Sequence, residues 1–260
     1  MNILIIGGDN RMKVAKNELE SCGYRVNTLG LFENDDGNIT KADVVLLPVP
    51  TTRDGKNIFC PSTNKTIPLD LVKSAKENAL ILSCVYDFEN LNYINYLKLD
   101  DFCYLNAVPT AEGAIARAIT DTPFCLWKSR VLVIGYGRVA KILVDRLNAL
   151  KCDVTVSARK SRDFAYIDAL GIKHVHTKDV SENADNFDII FNTIDVQLFN
   201  DFTKLKNCYL YDLSTKGCLD FNLAQQNSIN AIKLPGIPGK IAPLTAGKII
   251  AQTVNRLIGE

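Results

Sequence analysis

A glycine-rich turn near the middle of the chain constrains the fold more than any other feature of the sequence. The apolar run Val131–Ile134, which contains three β-branched residues, is typical of a buried strand. The run Gly-Tyr-Gly-Arg-Val-Ala at 135–140 follows at once, and the apolar residues after it recur with helical spacing. A strand, a Gly-x-Gly-x-x-Ala turn and a helix in immediate succession are the context of a dinucleotide-binding fingerprint.

Each position of this turn has a defined task in a dinucleotide site. Gly135 permits the tight turn, Gly137 lets the backbone approach a pyrophosphate, and Ala140 keeps the helix close to the strand. The helix N-terminus, at Arg138 and Val139, then faces the anion. The alternative is an ordinary strand-to-helix turn, in which the glycines relieve steric crowding and bind nothing.

The next predicted strand, at 153–157, bears on the choice between NAD and NADP. In an NAD site an acidic residue about 20 residues past the glycines binds the ribose hydroxyls. Here the strand ends at Ser157, and Arg159 and Lys160 follow without an intervening acid. Because a 2′-phosphate carries about two negative charges, this hydroxyl and these cations favour NADP. A solvated basic loop is the alternative, but it does not explain the missing acid.

Polar residues also follow the other strands predicted in the second half of the chain, at 188–191, 209–213 and 231–234. Nicotinamide and substrate collect at the carboxyl ends of such strands. The residues predicted to contact the cofactor there are Asn192, Thr193, Ile194, Leu213, Ser214 and Pro235.

The first part of the chain also alternates between strands and helices. Strands are predicted at 2–6, 24–29, 42–47 and 79–84, with helices at 12–22 and 69–77. Such alternation implies right-handed βαβ units and a parallel sheet. The opening turn, at 7–9, lacks the full fingerprint, so no nucleotide is assigned to it.

Arg11 stands out among the polar residues at the strand ends of this first sheet. Its planar guanidinium suits a carboxylate, so Arg11 is predicted to bind a carboxylate of the substrate. The alternative is a solvated arginine near a helix start, although a cation there is unfavourable with respect to the helix dipole.

The segment at 106–114 leads into a helix predicted at 111–119. Thr110 is the candidate N-cap of this helix, and Glu112 lies in its first turn. The functional alternative is that both residues contact the substrate, because this turn is predicted to lie between two domains, where two-domain dehydrogenases bind their substrates.

The alternation as a whole predicts an α/β fold of two doubly wound (Rossmann-like) domains with parallel sheets. The N-terminal substrate or partner domain covers 1–105, and an inter-domain helix covers 106–128. The dinucleotide-binding domain covers 129–243. The segment 244–260 contains an apolar helical stripe and is predicted to pack back on the first domain.

Composition and charge limit the partners of the chain. A net charge of +1 over 260 residues points to neither nucleic acid nor a membrane surface. The apolar runs fall far short of the about 20 residues that span a bilayer, and no leader segment is recognisable, so a cytoplasmic protein is expected. The eight cysteines and two histidines lack the spacing of a metal site or a disulfide framework, so no metal is expected.

Several segments, in order along nearly the whole chain, resemble the family of dipicolinate synthase A subunits. The resemblance is carried by Ile-Gly-Gly-Asp at 6–9, Leu-Pro-Val-Pro at 47–50, Pro-Thr-Ala-Glu-Gly-Ala at 109–114, Gly-Tyr-Gly-Arg at 135–138, Asp-Leu-Ser at 212–214 and Pro-Gly-Ile-Pro-Gly-Lys at 235–240. The chain departs from the family pattern at 214–218 and at Leu244, where the family tends to have lysine.

The resemblance implies an NADP-dependent oxidation of dihydrodipicolinate to pyridine-2,6-dicarboxylate in the mother cell of a sporulating bacterium. It also implies a partner, the flavoprotein-like B subunit of dipicolinate synthase. A dianionic substrate calls for two cationic anchors, and Arg11 with either Lys216 or Lys240 is nominated for them. Asp9 or Glu112 is nominated to accept the proton.

Two alternatives remain open. One is another NADP-dependent two-domain dehydrogenase, acting on a 2-hydroxy or 2-amino acid. Such enzymes usually carry a catalytic histidine with an acidic partner, and neither His174 nor His176 has an evident one nearby in sequence. The other alternative is a non-catalytic, NADP-binding regulatory subunit. A homo-oligomer is left open as well.

Overall fold

The computed structural model describes residues 1–84 and 86–259. The chain divides into two compact units, one formed by Met1–Asn106 with Pro238–Glu260 and the other by Ala107–Ile237. Each unit holds one sheet of parallel strands with helices, so the predicted α/β class with two Rossmann-like sheets is confirmed. No helix in the described part of the chain is long and apolar enough to cross a membrane.

The sheet of the first unit is built from short apolar strands. They are β1 (Asn2–Ile6), β2 (Arg25–Leu29), β3 (Val44–Leu46), β4 (Leu80–Ser83) and β5 (Tyr93–Asn95). Their spatial order is β2-β1-β3-β4-β5, and every pair is parallel. Because the order reverses between β1 and β3, the switch point of this sheet lies at the carboxyl ends of these two strands.

The sheet of the second unit has six strands. They are β6 (Arg130–Ile134), β7 (Asp153–Ala158), β8 (Lys173–His176), β9 (Ile189–Asn192), β10 (Tyr209–Asp212) and β11 (Ala231–Lys233). Their order, β11-β10-β9-β6-β7-β8, is that of a dinucleotide-binding sheet, and all pairs are parallel. The switch point lies between β6 and β9, next to the predicted glycine turn.

Helices cover both sheets. The described α-helices are α1 (Asn10–Ser21), α2 (Asp100–Asp121), α3 (Arg138–Ala149), α4 (Ser161–Ala169), α5 (Phe221–Gln226), α6 (Ile237–Ile241) and α7 (Pro243–Gly259). In the first unit α7 packs closely on α1, since a Cβ at Gly247 would lie 2.5 Å from the carbonyl oxygen of Arg11. The apolar stripe of α7 is buried in the core of this unit.

Helix α2 differs from its prediction at 111–119. It begins ten residues before Thr110, and Pro109 lies in its interior, so the predicted N-cap at Thr110 is wrong. Two acidic residues, Asp100 and Asp101, occupy the first turn and stabilise the positive end of the helix dipole. Because α2 presents a buried face of small residues, close packing offsets the cost of the internal proline.

The helix predicted at 69–77 is a shorter 3-10 helix, Leu69–Ser74. Its two buried side chains, Leu69 and Val72, are three residues apart and therefore lie on one face of a helix with three residues per turn. One apolar pair at this spacing anchors a single short turn but does not extend it to an α-helix.

Candidate functional site

The turn between β6 and α3 has the geometry that its glycines predict. Gly135 has a φ of +97°, and a Cβ there would lie 2.5 Å from Cγ2 of Ile194 and 2.8 Å from Oγ1 of Thr193. Both the dihedral angle and the close approach exclude a side chain. The turn therefore brings the carboxyl end of β6 against the segment that follows β9.

Gly137 occupies a different environment. A Cβ there would meet no atom within 4 Å, and the φ of −80° is an ordinary one. Gly137 is the N-cap of α3, whose first turn, within the described residues, has neither a side-chain cap nor an acidic residue. The backbone at Arg138 and Val139 thus presents the positive end of the helix dipole to open space, and a pyrophosphate fits this cradle.

Ser157 has partners other than a cofactor. Its side chain is fully buried, and its Oγ accepts a hydrogen bond of 3.2 Å from the backbone N–H of Gly135. The same Oγ lies 3.2 Å from Oγ1 of Thr177. The predicted contact of this hydroxyl with a 2′-phosphate is therefore corrected. A buried hydroxyl must find its partners inside the protein, and Ser157 finds one of them in the glycine turn.

The cations beyond β7 remain accessible. Arg159 and Lys160 are both exposed, and neither pairs with a carboxylate within the described part of the chain. The third cation, Arg162, lies with its Nε 3.5 Å from Oδ1 of Asp163. Arg159 and Lys160 are thus two accessible cations at this strand end.

The residues nominated after β9 divide into buried and accessible ones. Asn192 is fully buried and donates from Nδ2 to the carbonyl of Ile194 at 2.9 Å, so its predicted contact with the cofactor is corrected. Thr193 donates from Oγ1 to the carbonyl of Ile134 at 2.8 Å. These bonds shape the loop after β9, and Ile194 remains half-buried at its surface.

The residues nominated after β10 and β11 differ in how far their side chains are exposed. Leu213 packs against the core of the second unit, so its side chain is part of the fold. Ser214 is half-buried in the loop after β10, and Pro235 is exposed after β11. Lys216 is exposed on the same loop as Ser214, and its backbone N–H donates to Oδ1 of Asp195 at 2.6 Å.

Asp212 is a residue that was not among those predicted from the sequence. It is fully buried at the carboxyl end of β10 and bonds to Asn192 at 3.0 Å. The signal that could have found it is an acid directly after the apolar run at 209–211, at the same sheet edge as Asn192. An acid that closes a buried strand must have several donors around it.

Arg11 and Asp9 form a buried ion pair in the first unit. The Nε of Arg11 donates to Oδ1 of Asp9 at 2.9 Å, and Nη2 donates to Oδ2 at 2.8 Å. Nη2 also donates to the carbonyl of Val49, and the side chain of Arg11 is only 8% exposed. Asp9 thus occupies one edge of the guanidinium, and the predicted contact of Arg11 with a substrate carboxylate stays a prediction.

The carboxylate of Asp9 is also engaged in hydrogen bonds. Its Oδ1 accepts the backbone N–H of Arg11 at 3.0 Å and so caps α1. A proton acceptor needs an oxygen that is free to face the substrate, and both carboxylate oxygens of Asp9 are engaged by donors of Arg11. The geometry therefore does not support Asp9 as the proton acceptor.

The switch point of the first sheet is filled by the protein itself. The backbone N–H of Gly8 donates to the carbonyl of Phe59 at 2.8 Å, and the N–H of Phe59 donates to the carbonyl of Thr51 at 2.9 Å. In a nucleotide site the N–H of such a turn binds a phosphate oxygen. The carbonyl of Phe59 accepts this bond here.

Lys240 lies near the ion pair in the fold, although it is far from it in sequence. A Cβ at its neighbour Gly239 would lie 2.8 Å from Nε of Arg11 and 2.9 Å from Oδ2 of Asp9. The structure thus brings α6 against the Asp9–Arg11 pair, and Lys240 is exposed beside it.

Glu112 lies on α2, beside α3. Its Oε1 is 3.5 Å from Nε of Arg146, which follows the start of α3 by eight residues, or about 12 Å of helix. The side chain of Glu112 is 60% exposed and paired along α3, away from the glycine turn. Its nomination as proton acceptor stays a prediction. Thr110, one helical turn or less away, shares this part of α2.

The two histidines lie on the edge strand β8. The Nε2 of His174 is 2.9 Å from Oδ1 of Asp168, and the ring of Phe164 packs against both His174 and His176. A histidine–acid pair therefore exists, although none was expected from the sequence. Its place on an edge strand, two strands from the β6–β9 switch point, is unsuited to hydride chemistry.

The six-stranded parallel sheet and its glycine turn are those of a nicotinamide dinucleotide-binding domain, and the chain has a dehydrogenase-like fold. Residues 125–204 match the family model described as putative NAD(P)-binding. The structure of Salmonella D-lactate dehydrogenase has the same fold, with a TM-score of 0.65 at 12% identity over 99% of this chain and 96% of that one.

The more similar relatives are dipicolinate synthase A subunits. Residues 2–99 match the model of the N-terminal domain of these subunits. The chain is 28% identical to the dipicolinate synthase A subunit of Bacillus subtilis (strain 168), over 100% of this chain and 96% of that one. The crystal structure of the Bacillus halodurans A subunit has a TM-score of 0.90 at 27% identity, covering 100% of this chain and 98% of that chain. The resemblance to these subunits, predicted from the sequence motifs, is thus confirmed.

Proposed function

We propose that the protein is the A subunit of a dipicolinate synthase, which oxidises dihydrodipicolinate to pyridine-2,6-dicarboxylate with NADP. The observation that carries this proposal is the full-length similarity to the Bacillus halodurans protein, at a TM-score of 0.90. The open cradle at Gly137 supports it, because a pyrophosphate fits there. Loss of two hydrogens makes the substrate ring aromatic, so the product supplies much of the driving force.

Each accessible residue has a task in this proposal. NADP, when bound, supplies the hydride acceptor. The backbone of the glycine turn binds the diphosphate, and Arg159 with Lys160 binds the 2′-phosphate. Lys216 binds a carboxylate of the substrate, and in the first unit Lys240 is a candidate for the same task. Arg11, the other anchor predicted from the sequence, is held beside Lys240 by its pairing with Asp9.

The proposed partner is a flavoprotein-like B subunit, and the proposed place of action is the cytoplasm of the mother cell in a sporulating bacterium. The names of the relatives, each called an A subunit, support an enzyme of more than one kind of subunit.

The activity can be tested with the full-length protein and dihydrodipicolinate, generated by loss of water from the corresponding hydroxytetrahydropyridine dicarboxylate. With NADP present, alone or together with the B subunit, we expect the absorbance of the aromatic dicarboxylate to grow. No aromatic product in the presence of the B subunit would instead favour a non-catalytic, NADP-binding protein or a different substrate.

The cofactor preference can be tested at Arg159. Since a charge-assisted hydrogen bond contributes about 1.5–3 kcal/mol, Arg159→Ala is expected to weaken NADP binding by about 10- to 100-fold. The affinity for NAD, measured by calorimetry in parallel, should change by less than about threefold because NAD lacks the 2′-phosphate. Arg130→Ala is the matched control, because Arg130 pairs with Asp188 at the opposite edge of the same sheet. Equal losses for NADP and NAD in Arg159→Ala would contradict the assignment.

A further inference from the structure

The carboxylate of Asp212 accepts four hydrogen bonds, all from described residues near the strand ends of the second unit. It is fully buried. Its Oδ1 accepts from the backbone N–H and from Oγ of Ser214, at 2.8 and 2.6 Å. Its Oδ2 accepts from Nδ2 of Asn192 at 3.0 Å and from the backbone N–H of Cys218 at 2.8 Å. All four donors belong to β9 or to the loop after β10.

These bonds determine the shape of that loop. Ser214 links Asp212 to the next part of the loop, since its Oγ also accepts a hydrogen bond of 3.0 Å from the N–H of Gly217. Gly217 has a φ of +101°, which lets the chain turn back so that the N–H of Cys218 reaches Asp212. The loop is thereby held at both ends by one buried side chain, and Lys216 lies at its exposed tip.

The loop lies where the nicotinamide half of a dinucleotide belongs. In a sheet of this order the cofactor spans the switch point, with its adenosine at the end of β7 and its nicotinamide beyond β9 and β10. We propose that Asp212 is the positioning residue of this half-site: it touches neither cofactor nor substrate, and it holds Ser214 and Lys216 in place to meet them. This inference rests on the proposed binding of NADP.

An amide cannot replace this carboxylate. Asparagine has the same shape, but its NH₂ group would face two of the four donors and leave them unsatisfied. The loop would then relax, and a displacement of about 1 Å is enough to weaken the contacts that it makes. The adenosine end of the site, at Gly137 and Arg159, makes no use of these bonds.

The test compares two ligands on Asp212→Asn in the full-length protein. Adenosine 2′,5′-bisphosphate carries the adenosine half alone, and NADPH carries both halves. We expect the Kd for the bisphosphate to stay within about twofold of the wild-type value, whereas the Kd for NADPH rises by about tenfold or more. Asp188→Asn is the matched control, because Asp188 precedes β9 at the opposite edge of the sheet and should leave both Kd values unchanged.

Ser214→Ala provides a second variant that keeps the buried charge. It removes one of the bonds to Asp212 and the bonds that Ser214 Oγ accepts from Gly217 and Asn192, so a smaller loss for NADPH alone is expected. Wild-type affinity of Asp212→Asn for NADPH, or an equal loss for both ligands, would overturn the positioning role. Failure of the wild-type protein to bind either ligand would overturn the proposed function itself, and the inference with it.

Discussion

Gly137→Val is expected to reduce NADP binding by about 100-fold or more while leaving the second unit folded. The added side chain projects into space where no protein atom lies within 4 Å, so it clashes with nothing in the fold. The φ of −80° suits valine, and the lost N-cap glycine costs less than about 1 kcal/mol. The same open space is where a pyrophosphate must approach the N-terminus of α3, and the valine methyl groups would fill it.

Calorimetric titration with NADP and thermal melting by circular dichroism together measure this outcome. Gly259→Val is the matched control, because a Cβ there also meets nothing within 4 Å but lies at the end of α7. Gly135→Val should differ from both by lowering the melting temperature, since its Cβ would lie 2.5 Å from Ile194. Tight NADP binding by Gly137→Val would show that the turn is a structural feature and no cofactor site.

The sequence predicts most of the fold because strands and helices of α/β units are marked by local patterns. Apolar runs such as those of β1 and β6 are buried on both faces and are visible without knowledge of their neighbours. The exceptions have physical reasons. β5 has three residues and depends on pairing with β4, and α2 contains a proline that ordinarily ends a helix.

The sequence predicts those parts of the site whose residues are contiguous in the chain. The glycine turn and the cations after β7 are contiguous in sequence, and their chemistry can be inferred from residue type. The contacts that the sequence does not reveal are made with partners far along the chain: Asn192 meets Asp212 across 20 positions, and Arg11 meets Val49 across 38. A polar residue at a strand end can bind a ligand or hold another loop, and only the folded neighbours decide between the two.

Arg11→Met is expected to destabilise the first unit by about 2–4 kcal/mol. The substitution removes one member of a buried ion pair and leaves the carboxylate of Asp9 without its guanidinium. The expected loss of stability is smaller than for a fully buried ion pair, because the side chain of Asp9 is 28% exposed and keeps its helix-cap hydrogen bond. The carbonyl of Val49 also loses its donor.

Amide hydrogen exchange, followed by mass spectrometry, localises this effect to peptides that contain β1 and β3. Arg25→Met is the control, since Arg25 is exposed on β2 and should change stability by no more than about 0.5 kcal/mol. Asp9→Asn and the double variant complete a cycle, in which the two changes should not be additive because the residues are in contact. If Arg11→Met instead kept wild-type protection and raised only the KM for dihydrodipicolinate, Arg11 would be a substrate anchor and its pairing with Asp9 would not stabilise the fold.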